Sequence, residues 1–283
     1  MNIKKVMVVG AGQMGSGIAQ VIAQAGFQVI LNDLEDVALD RGLATIDKFL
    51  TRAVDRERIT ADEKETTLNN ITRSTSLDDA KDIDLVIEAA VENMNVKQNI
   101  FRTLDEVAPK QAILATNTSS LPITEIAAVT SRPELVIGMH FMNPVPVMKL
   151  VEIIRGLQTE DTTYDIIHEL TERLNKTPVE VNDFPGFAAN RILMPMINEA
   201  IYTVYEGVAS VEDVDTVMKL GMNHPMGPLT LADFIGLDTC LYIMEVLYEG
   251  FGDSKYRPCP LLRQYVKAGW LGKKTGRGFY VYD

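Results

Sequence analysis

One stretch decides the fold of the first half of this chain: VMVVGAGQMG, at residues 6–15. Its first four residues form a continuous apolar run, as in a central strand of a parallel sheet. Three glycines follow with the spacing GxGxxG, and an amphipathic helical pattern begins directly after them. In such a strand–turn–helix the glycines permit a tight turn, a close approach of backbone to a pyrophosphate, and tight helix–strand packing. We therefore predict a dinucleotide site whose turn contributes Gly10, Gly12, Gln13, Met14 and Gly15.

The residue that ends the second predicted strand indicates the type of dinucleotide. This strand covers residues 27–31 and is followed by Asp33, whose carboxylate can accept hydrogen bonds from ribose hydroxyls. Glu35 and Asp36 come next, in what we interpret as a solvated turn that opens a helix, and no arginine is at hand to bind a 2′-phosphate. Because three carboxylates would repel such a phosphate, we expect NAD rather than NADP as the cofactor.

Strand-like and helix-like segments alternate through residues 1–183. Further apolar runs typical of strands lie at residues 84–88, 112–115, 135–139, 148–154 and 179–181. Residues 36–70 have a polar, charged helical pattern with no strand run, which predicts a helical hairpin inserted between strands. Alternating strands and helices imply βαβ units, so we expect an α/β domain with a largely parallel, doubly wound sheet of the Rossmann type.

The pattern changes at residue 184, beyond which no strand-like run occurs. Helical patterns cover residues 187–206, 211–220, 229–250 and 260–268. Pro195 lies within the first of these, where we expect a kink or a local opening of the helix. Residues 184–283 are thus predicted to form an all-helical C-terminal domain, separate from the α/β domain of residues 1–183.

Composition narrows the classes of function. The chain of 283 residues carries a net charge of −12, which argues against general binding of nucleic acid, since phosphates require a basic surface. No apolar run approaches the roughly 20 residues that span a bilayer, and the first residues lack the pattern of a signal peptide. Cys240 and Cys259 have no spacing typical of a metal site. We therefore expect a cytoplasmic protein with no metal and no membrane partner.

Three histidines are candidates for a general base near neutral pH. His168 projects off the apolar stripe of a predicted helix, which indicates solvated surface, and His224 lies in a loop that we interpret as structural. His140 directly follows the strand at 135–139, and ligands of open α/β sheets bind at the carboxyl ends of strands. Glu152 lies on the next strand, where a carboxylate could bond the imidazole, fix its tautomer and stabilise its charged form.

Seven motifs are distributed over the whole chain: GAGQMG at 10–15, AAVEN at 89–93, TNTSSL at 116–121, HFMNPVPVMKLVE at 140–152, PGFAANR at 185–191, NHPMGPL at 223–229 and GKKTGRGFY at 272–280. Together they resemble the short-chain 3-hydroxyacyl-CoA dehydrogenases, and in particular the bacterial members that act on 3-hydroxybutyryl-CoA. The resemblance implies a reversible, NAD-dependent oxidation of (S)-3-hydroxybutyryl-CoA to acetoacetyl-CoA.

The resemblance also implies roles for individual residues. It pairs His140, as the general base, with Glu152. It assigns Ser119 and Asn190 to hydrogen bonds with the substrate oxygen. Cofactor contacts beyond the glycine turn are implied for Asp33, Glu92, Lys97, Ser119, Asn143 and Lys274.

An acidic enzyme needs a local basic surface to bind the phosphates of coenzyme A. Lys48, Arg52 and Arg56, which we call the basic face, fall at intervals of four on one side of a predicted helix. The residues alone leave open whether this is a CoA site or a solvated charged face. The resemblance places CoA contacts in the inserted hairpin, so we predict that the basic face binds the substrate. It further implies a homodimer formed through the C-terminal helical domain.

Two alternative functions stay open at the level of sequence. A related dehydrogenase acting on a free hydroxy acid or sugar acid would share much of this pattern, although the basic face favours a CoA substrate. A non-catalytic NAD-binding protein would share the fold. Against it, the residues implied for catalysis are all retained: His140, Glu152, Ser119 and Asn190.

Overall fold

The computed structural model describes residues 3–282, and the chain divides into two compact units between Asp183 and Phe184. The first unit is a doubly wound α/β fold and the second is helical, which confirms the predicted fold class. Within residues 3–282, no helix combines the length and the apolar character needed to traverse a bilayer.

The first unit is built on one sheet of eight strands. The strands are β1 (Lys5–Val9), β2 (Gln28–Asn32), β3 (Ile71–Ser74), β4 (Leu85–Glu88), β5 (Ile113–Thr116), β6 (Val136–Phe141), β7 (Leu150–Arg155) and β8 (Thr177–Asn182). Their order is β3-β2-β1-β4-β5-β6-β7-β8, and every neighbouring pair is parallel except β6 and β7. The chain thus winds outward from β1 in both directions, as in a Rossmann sheet.

The strands of the first unit are connected mainly by helices. These are α1 (Gln13–Gln24), α2 (Asp36–Asp55), α3 (Ala61–Asn69), α4 (Met94–Val107), α5 (Ile123–Ala127) and α6 (Asp161–Arg173). Helices α2 and α3 form the predicted hairpin between β2 and β3. A capping box starts α3, because the Thr60 hydroxyl accepts from the Glu63 amide at 3.1 Å while the Glu63 carboxylate accepts from the Thr60 amide at 2.7 Å.

Strand β3 was not among the predicted strands. It has the sequence ITRS, lies at the edge of the sheet and contains one buried residue, Ser74. Such a strand has neither a buried apolar run nor a regular alternation of apolar and polar residues, so hydrophobic periodicity does not predict it. Its position matters for the site, because it brings Arg73 next to β2.

The central strands β1, β4, β5 and β6 are almost wholly buried. They run parallel to one another, so that they end at one side of the sheet, which we call the carboxyl edge. The last residues of these strands are Val9, Glu88, Thr116 and Phe141. Several candidate site residues of the first unit lie in, or shortly after, these strand ends, among them Gly10, Ser119 and His140.

The second unit contains α7 (Ala189–Tyr205), α8 (Val211–Thr216), α9 (Pro228–Ile235), α10 (Leu237–Phe251) and α11 (Pro260–Lys267). Helix α7 contains Pro195 and continues as one helix from Ala189 to Tyr205. The single helix predicted at 229–250 is wrong, because Gly236 interrupts it with φ +102°. That backbone conformation lies outside the helical region and suits glycine, so the segment forms two helices instead of one.

Candidate active site

The glycine turn at the end of β1 forms an open backbone cradle. Gly10 has φ +103°, and a Cβ there would lie 2.6 Å from the carbonyl oxygen of Ala89. A Cβ on Gly15 would lie 1.8 Å from the carbonyl oxygen of Gly10, so neither position tolerates a side chain. A Cβ on Gly12, by contrast, would have no atom of the described residues within 4 Å apart from its chain neighbours. The turn therefore leaves room beside Gly12 at the amino terminus of α1, which fits the pyrophosphate of NAD.

Asp33 is held beside this cradle by the backbone. Its Oδ2 accepts a hydrogen bond from the amide of Ala11 at 2.7 Å, and the amide of Gly10 donates to the carbonyl of Asn32 at 2.7 Å. The half-buried carboxylate thus lies at the end of β2 and next to the glycine turn, where the ribose of a bound dinucleotide requires an acceptor.

An arginine from another strand lies beside this acidic segment, although none follows it directly in sequence. Arg73 on β3 forms a salt bridge with Asp36 and a second one, at 2.7 Å, with Asp40. Both carboxylates belong to the first turns of α2. Asp36 is exposed and begins α2, as predicted, and it is in addition paired with a cation from a strand that was not predicted. With both carboxylates engaged, the charge of Arg73 is balanced.

His140 and Glu152 form a buried pair across two strands. They are directly opposite residues in the antiparallel pairing of β6 and β7, which places their side chains on the same face. The Nδ1 atom of His140 lies 2.8 Å from Oε2 of Glu152, and the two residues are 8% and 2% exposed. A carboxylate accepts only, so the neutral imidazole donates through Nδ1 and carries its lone pair on Nε2.

Glu92 organises the turn that follows β5. Its Oε1 accepts from the Thr118 hydroxyl at 2.6 Å and from the Ser120 hydroxyl at 3.1 Å. The same atom accepts from the amide of Ser119 at 3.0 Å and from its hydroxyl at 3.3 Å. Burial alone would raise the pKa of Glu92, but the Lys97 ammonium and these hydrogen bonds outweigh it, and the pKa lies below its ordinary value. The carboxylate is therefore ionised at neutral pH.

Lys97 is buried, with 1% of its surface exposed. Its Nζ lies 2.7 and 2.9 Å from the two carboxylate oxygens of Glu88 and 3.4 Å from Oε2 of Glu92. Lys97 and Glu92 were predicted from sequence, but Glu88, which is fully buried at the end of β4, was not. The available signal was a charged residue that closes an apolar strand at the carboxyl edge.

Asn143 is linked to the glycine turn, although 130 positions separate it from Gln13. The Gln13 amide nitrogen Nε2 donates to Oδ1 of Asn143 at 3.1 Å. Near the same strand end, Oδ1 of Asn117 accepts from the backbone amide of Phe141 at 2.9 Å. These bonds connect the ends of β1, β5 and β6, so that Gln13 and Asn143, both predicted to contact the cofactor, lie together. Asn117 is a further residue that the sequence analysis gave no role.

Lys176 fixes the proline-containing crossing between β6 and β7. Its Nζ donates to the carbonyl oxygens of Val145 and Met148, each at 2.7 Å. Burial, together with the positive charge of Lys149, lowers the pKa of Lys176 below its ordinary value. The crossing that starts just after His140 is thus held by a buried side chain that sequence reasoning did not identify.

Two predicted site residues, Asn190 and Lys274, belong to the second unit. Asn190 is buried, at 8% exposure, near the start of α7. Lys274 is exposed, and its Nζ lies 2.6 Å from Oδ1 of Asp238 in the first turn of α10.

The residues of the basic face are all exposed on the helical hairpin. Lys48 and Arg52 belong to α2, whereas Arg56 lies one residue beyond the helix, at its C-cap. Within residues 3–282 none of the three forms a salt bridge, in contrast to Lys64 of α3, which lies 2.7 Å from Asp47. The hairpin therefore presents cations to solvent that are available for an anion.

The two remaining histidines lie on a helix and in a loop, not at a strand end. His168 is half-buried on α6, with its ring 5.7 Å from that of Tyr164 and its Nδ1 3.9 Å from Glu172. His224 is half-buried in the loop before α9, where its amide donates to the carbonyl of Met218. Among the histidines, only His140 lies at a strand end.

Similarity to known proteins covers the whole length of the chain. Residues 5–184 match the family model for the NAD binding domain of 3-hydroxyacyl-CoA dehydrogenase, and residues 186–282 match the model for its C-terminal domain. The chain is 64% identical, over 100% of its length and 99% of the relative, to a probable 3-hydroxybutyryl-CoA dehydrogenase of Bacillus subtilis. It is 59% identical, over 99% of its length and 96% of the relative, to a 3-hydroxybutyryl-CoA dehydrogenase of Bradyrhizobium diazoefficiens.

A solved structure gives the same result. The crystal structure of (S)-3-hydroxybutyryl-CoA dehydrogenase from Ralstonia eutropha superimposes with a TM-score of 0.97 at 54% identity, covering 100% of both chains. The resemblance found in the seven motifs is thereby confirmed, as is NAD as the cofactor. The chain belongs to the 3-hydroxyacyl-CoA dehydrogenase family, and its first unit is the NAD-binding domain of that family.

Proposed function

We propose that this protein oxidises (S)-3-hydroxybutyryl-CoA to acetoacetyl-CoA with NAD, and catalyses the reverse reduction with NADH. The observation that carries the proposal is the His140–Glu152 pair, with 2.8 Å between Nδ1 and Oε2, at the same edge of the sheet as the glycine cradle. The names of three relatives, which are 54–64% identical to this chain, support the choice of substrate.

Oxidation of a secondary alcohol removes one proton from the hydroxyl and one hydride from the carbon. NAD, when bound, supplies the nicotinamide ring that accepts the hydride. The Nε2 atom of His140 accepts the 3-hydroxyl proton, and the electrons of the broken O–H bond form the new carbonyl. Glu152 stabilises the imidazolium that results and keeps the ring oriented through Nδ1. In the reverse direction His140 returns the proton.

The substrate oxygen also needs hydrogen-bond partners while it becomes a carbonyl. We assign Ser119 to this role on the basis of its position, since it follows β5 and is held by Glu92 next to the strand that carries His140. Asn190 is assigned the same role, and Lys274 a cofactor contact, on the family pattern alone.

The basic face is proposed to bind the phosphates of coenzyme A. The net charge of the chain is −12, so an anionic substrate requires a local positive surface. Lys48, Arg52 and Arg56 provide it, because they are exposed and form no salt bridge within the described part of the chain.

We further propose that the protein acts as a homodimer in the cytoplasm, in fatty acid or butyrate metabolism, and that its second unit forms the dimer contact. Several large apolar side chains of that unit are more than half exposed and are candidates for this contact, since apolar surface is stabilised by burial against a partner. They are Ile192, Val208, Val217, Leu220, Met222 and Phe234. Sedimentation of the purified protein tests the assembly, and a monomer at micromolar concentration would contradict it.

A panel of substrates tests the proposed activity. NADH oxidation is followed with acetoacetyl-CoA, with longer 3-ketoacyl-CoAs, with free acetoacetate and with the keto form of a free sugar acid. We expect turnover with acetoacetyl-CoA and none with the free acids. Turnover of a free acid alone would favour the related dehydrogenase, and absence of turnover with all of them would favour a non-catalytic NAD-binding protein.

A further inference from the structure

Glu88 is a buried carboxylate at the carboxyl edge of the sheet. It ends β4 and has no exposed surface. Oε1 accepts from the amide of Ala90 at 2.7 Å and from Lys97 at 2.7 Å. Oε2 accepts from Lys97 at 2.9 Å and from the Thr116 hydroxyl at 2.7 Å. Each carboxylate oxygen therefore accepts two hydrogen bonds, which compensates the burial of the charge.

Each bond of Glu88 leads to a different element at the carboxyl edge. Through Thr116 it reaches the turn after β5, because the Thr116 hydroxyl accepts from the amide of Thr118 at 3.2 Å. Through Lys97 it reaches Glu92, at 3.4 Å. Through Ala90 it fixes the end of β4, whose neighbour Ala89 lies against Gly10 of the cradle. One carboxylate thus connects the elements that carry the cradle, Glu92 and Ser119.

The distances also show how Lys97 is shared between two acids. Its ammonium lies within 3 Å of both oxygens of Glu88 but 3.4 Å from the nearer oxygen of Glu92. The Lys97 ammonium therefore interacts more strongly with Glu88 than with Glu92. Glu92, with the weaker contact, keeps its other oxygen for the hydroxyls and the amide of the turn at 118–120.

We propose that Glu88 is a positioning residue of the dehydrogenase reaction, which holds Lys97 and Thr116 so that Glu92 and Ser119 keep their places. The inference deepens the proposed function and rests on it. If Glu88 loses its charge, Lys97 has only Glu92 as a carboxylate partner. The Glu92 side chain then turns toward Lys97, and the turn that carries Ser119 loses its common acceptor.

The Glu88→Gln variant tests this proposal, because it preserves the shape of the side chain and removes its charge. We expect binding of NADH, measured by fluorescence titration, to weaken by about tenfold, and kcat/KM with acetoacetyl-CoA to fall by about 100-fold. Glu88→Asp retains the charge and should recover a substantial part of both losses. The titration does not depend on turnover, so it distinguishes failure of this inference from failure of the proposed function.

Asp105→Asn provides a matched control for lost stability. Asp105 lies on α4, the helix that carries Lys97, and pairs with the buried Arg132 at 2.7 Å. We expect this variant to lower the melting temperature while NADH binding and kcat/KM stay within about twofold. If Glu88→Gln binds NADH and turns over like the wild type, the proposal is overturned. It is equally overturned if both variants lose NADH binding in proportion to their loss of stability, or if Glu88→Gln fails to fold and Glu88→Asp binds NADH normally with normal kcat/KM.

Discussion

His140 and Glu152 are opposite one another in the register of β6 and β7, and their side-chain atoms Nδ1 and Oε2 are 2.8 Å apart. The pair is thus fixed by the hydrogen bonds of two buried strands and not by a flexible loop. A site built on strands is held more rigidly than one built on loops, so the base keeps its orientation before substrate arrives.

Replacing the base tests its role directly. We expect His140→Gln to lower kcat by about 10²–10⁴-fold, because the variant lacks the imidazole nitrogen Nε2 that is proposed to accept the 3-hydroxyl proton. Binding of NADH should stay unchanged in a fluorescence titration. His168→Gln is the control, since His168 also faces a glutamate, Glu172, but lies on α6. Near-normal turnover by His140→Gln would remove this residue from the mechanism.

The contribution of Glu152 is measured best in a double-mutant cycle. Glu152→Gln preserves the volume of the buried side chain, and we expect kcat to fall by about 100-fold as the imidazolium loses its counter-charge. Because Glu152 acts through His140, the double variant should be hardly slower than His140→Gln alone. If the two losses multiplied instead, Glu152 would have a role independent of the histidine.

Cofactor preference depends on the acids at the end of β2. We expect Asp33→Ser to raise KM for NADH by about tenfold, because the ribose hydroxyls lose a charged hydrogen-bond acceptor. The preference of the enzyme for NADH over NADPH should become smaller as a result. Asp36→Asn leaves Arg73 paired with Asp40 alone, so KM for NADPH should fall while KM for NADH is retained. A wild-type enzyme that prefers NADPH would contradict the assignment of Asp33.

The basic face is tested by reversing one charge. Arg56→Glu should raise KM for acetoacetyl-CoA by about tenfold and spare KM for NADH, since the side chain is exposed on the hairpin away from the glycine turn. Acetoacetyl-pantetheine, which lacks the nucleotide phosphates, serves as the matched substrate, and its KM should not change. If KM changed equally for both thioesters, or for neither, the basic face would not bind the nucleotide phosphates.

Asp105 gives a prediction for pH-dependent stability. Burial would raise its pKa, but hydrogen bonds from Arg132 and Ser131 outweigh burial and lower it. A lowered carboxyl pKa stabilises the fold above the unfolded value of about 3.9, and the contribution is lost as the pH falls through the folded value. Urea unfolding should find Asp105→Asn less stable by about 2 kcal/mol at neutral pH. The difference should shrink below about pH 4; a difference independent of pH would refute this origin.

Much of this protein could be predicted from sequence because the signals are local. The buried run of β1, the glycine spacing after it and the helical stripe of α1 lie within one short segment, so the backbone conformation follows from neighbouring residues. The ends of β2 and β6, beside Asp33 and His140, could be located in the same way to within two residues. Local pattern was insufficient for β3, which is short and at the edge, and for the break at Gly236.

The sequence by itself determined the fold class, the dinucleotide turn and the family, since these depend on residue types at fixed spacing. Only the tertiary structure decided which distant groups meet. Glu88 reaches Lys97 and Thr116, Arg73 reaches Asp36, and Lys176 reaches the crossing after His140 because strands far apart in sequence end at the same edge or pair in register. Such partners are set by the order of strands and by the need of buried charges for counter-groups, neither of which a local pattern contains.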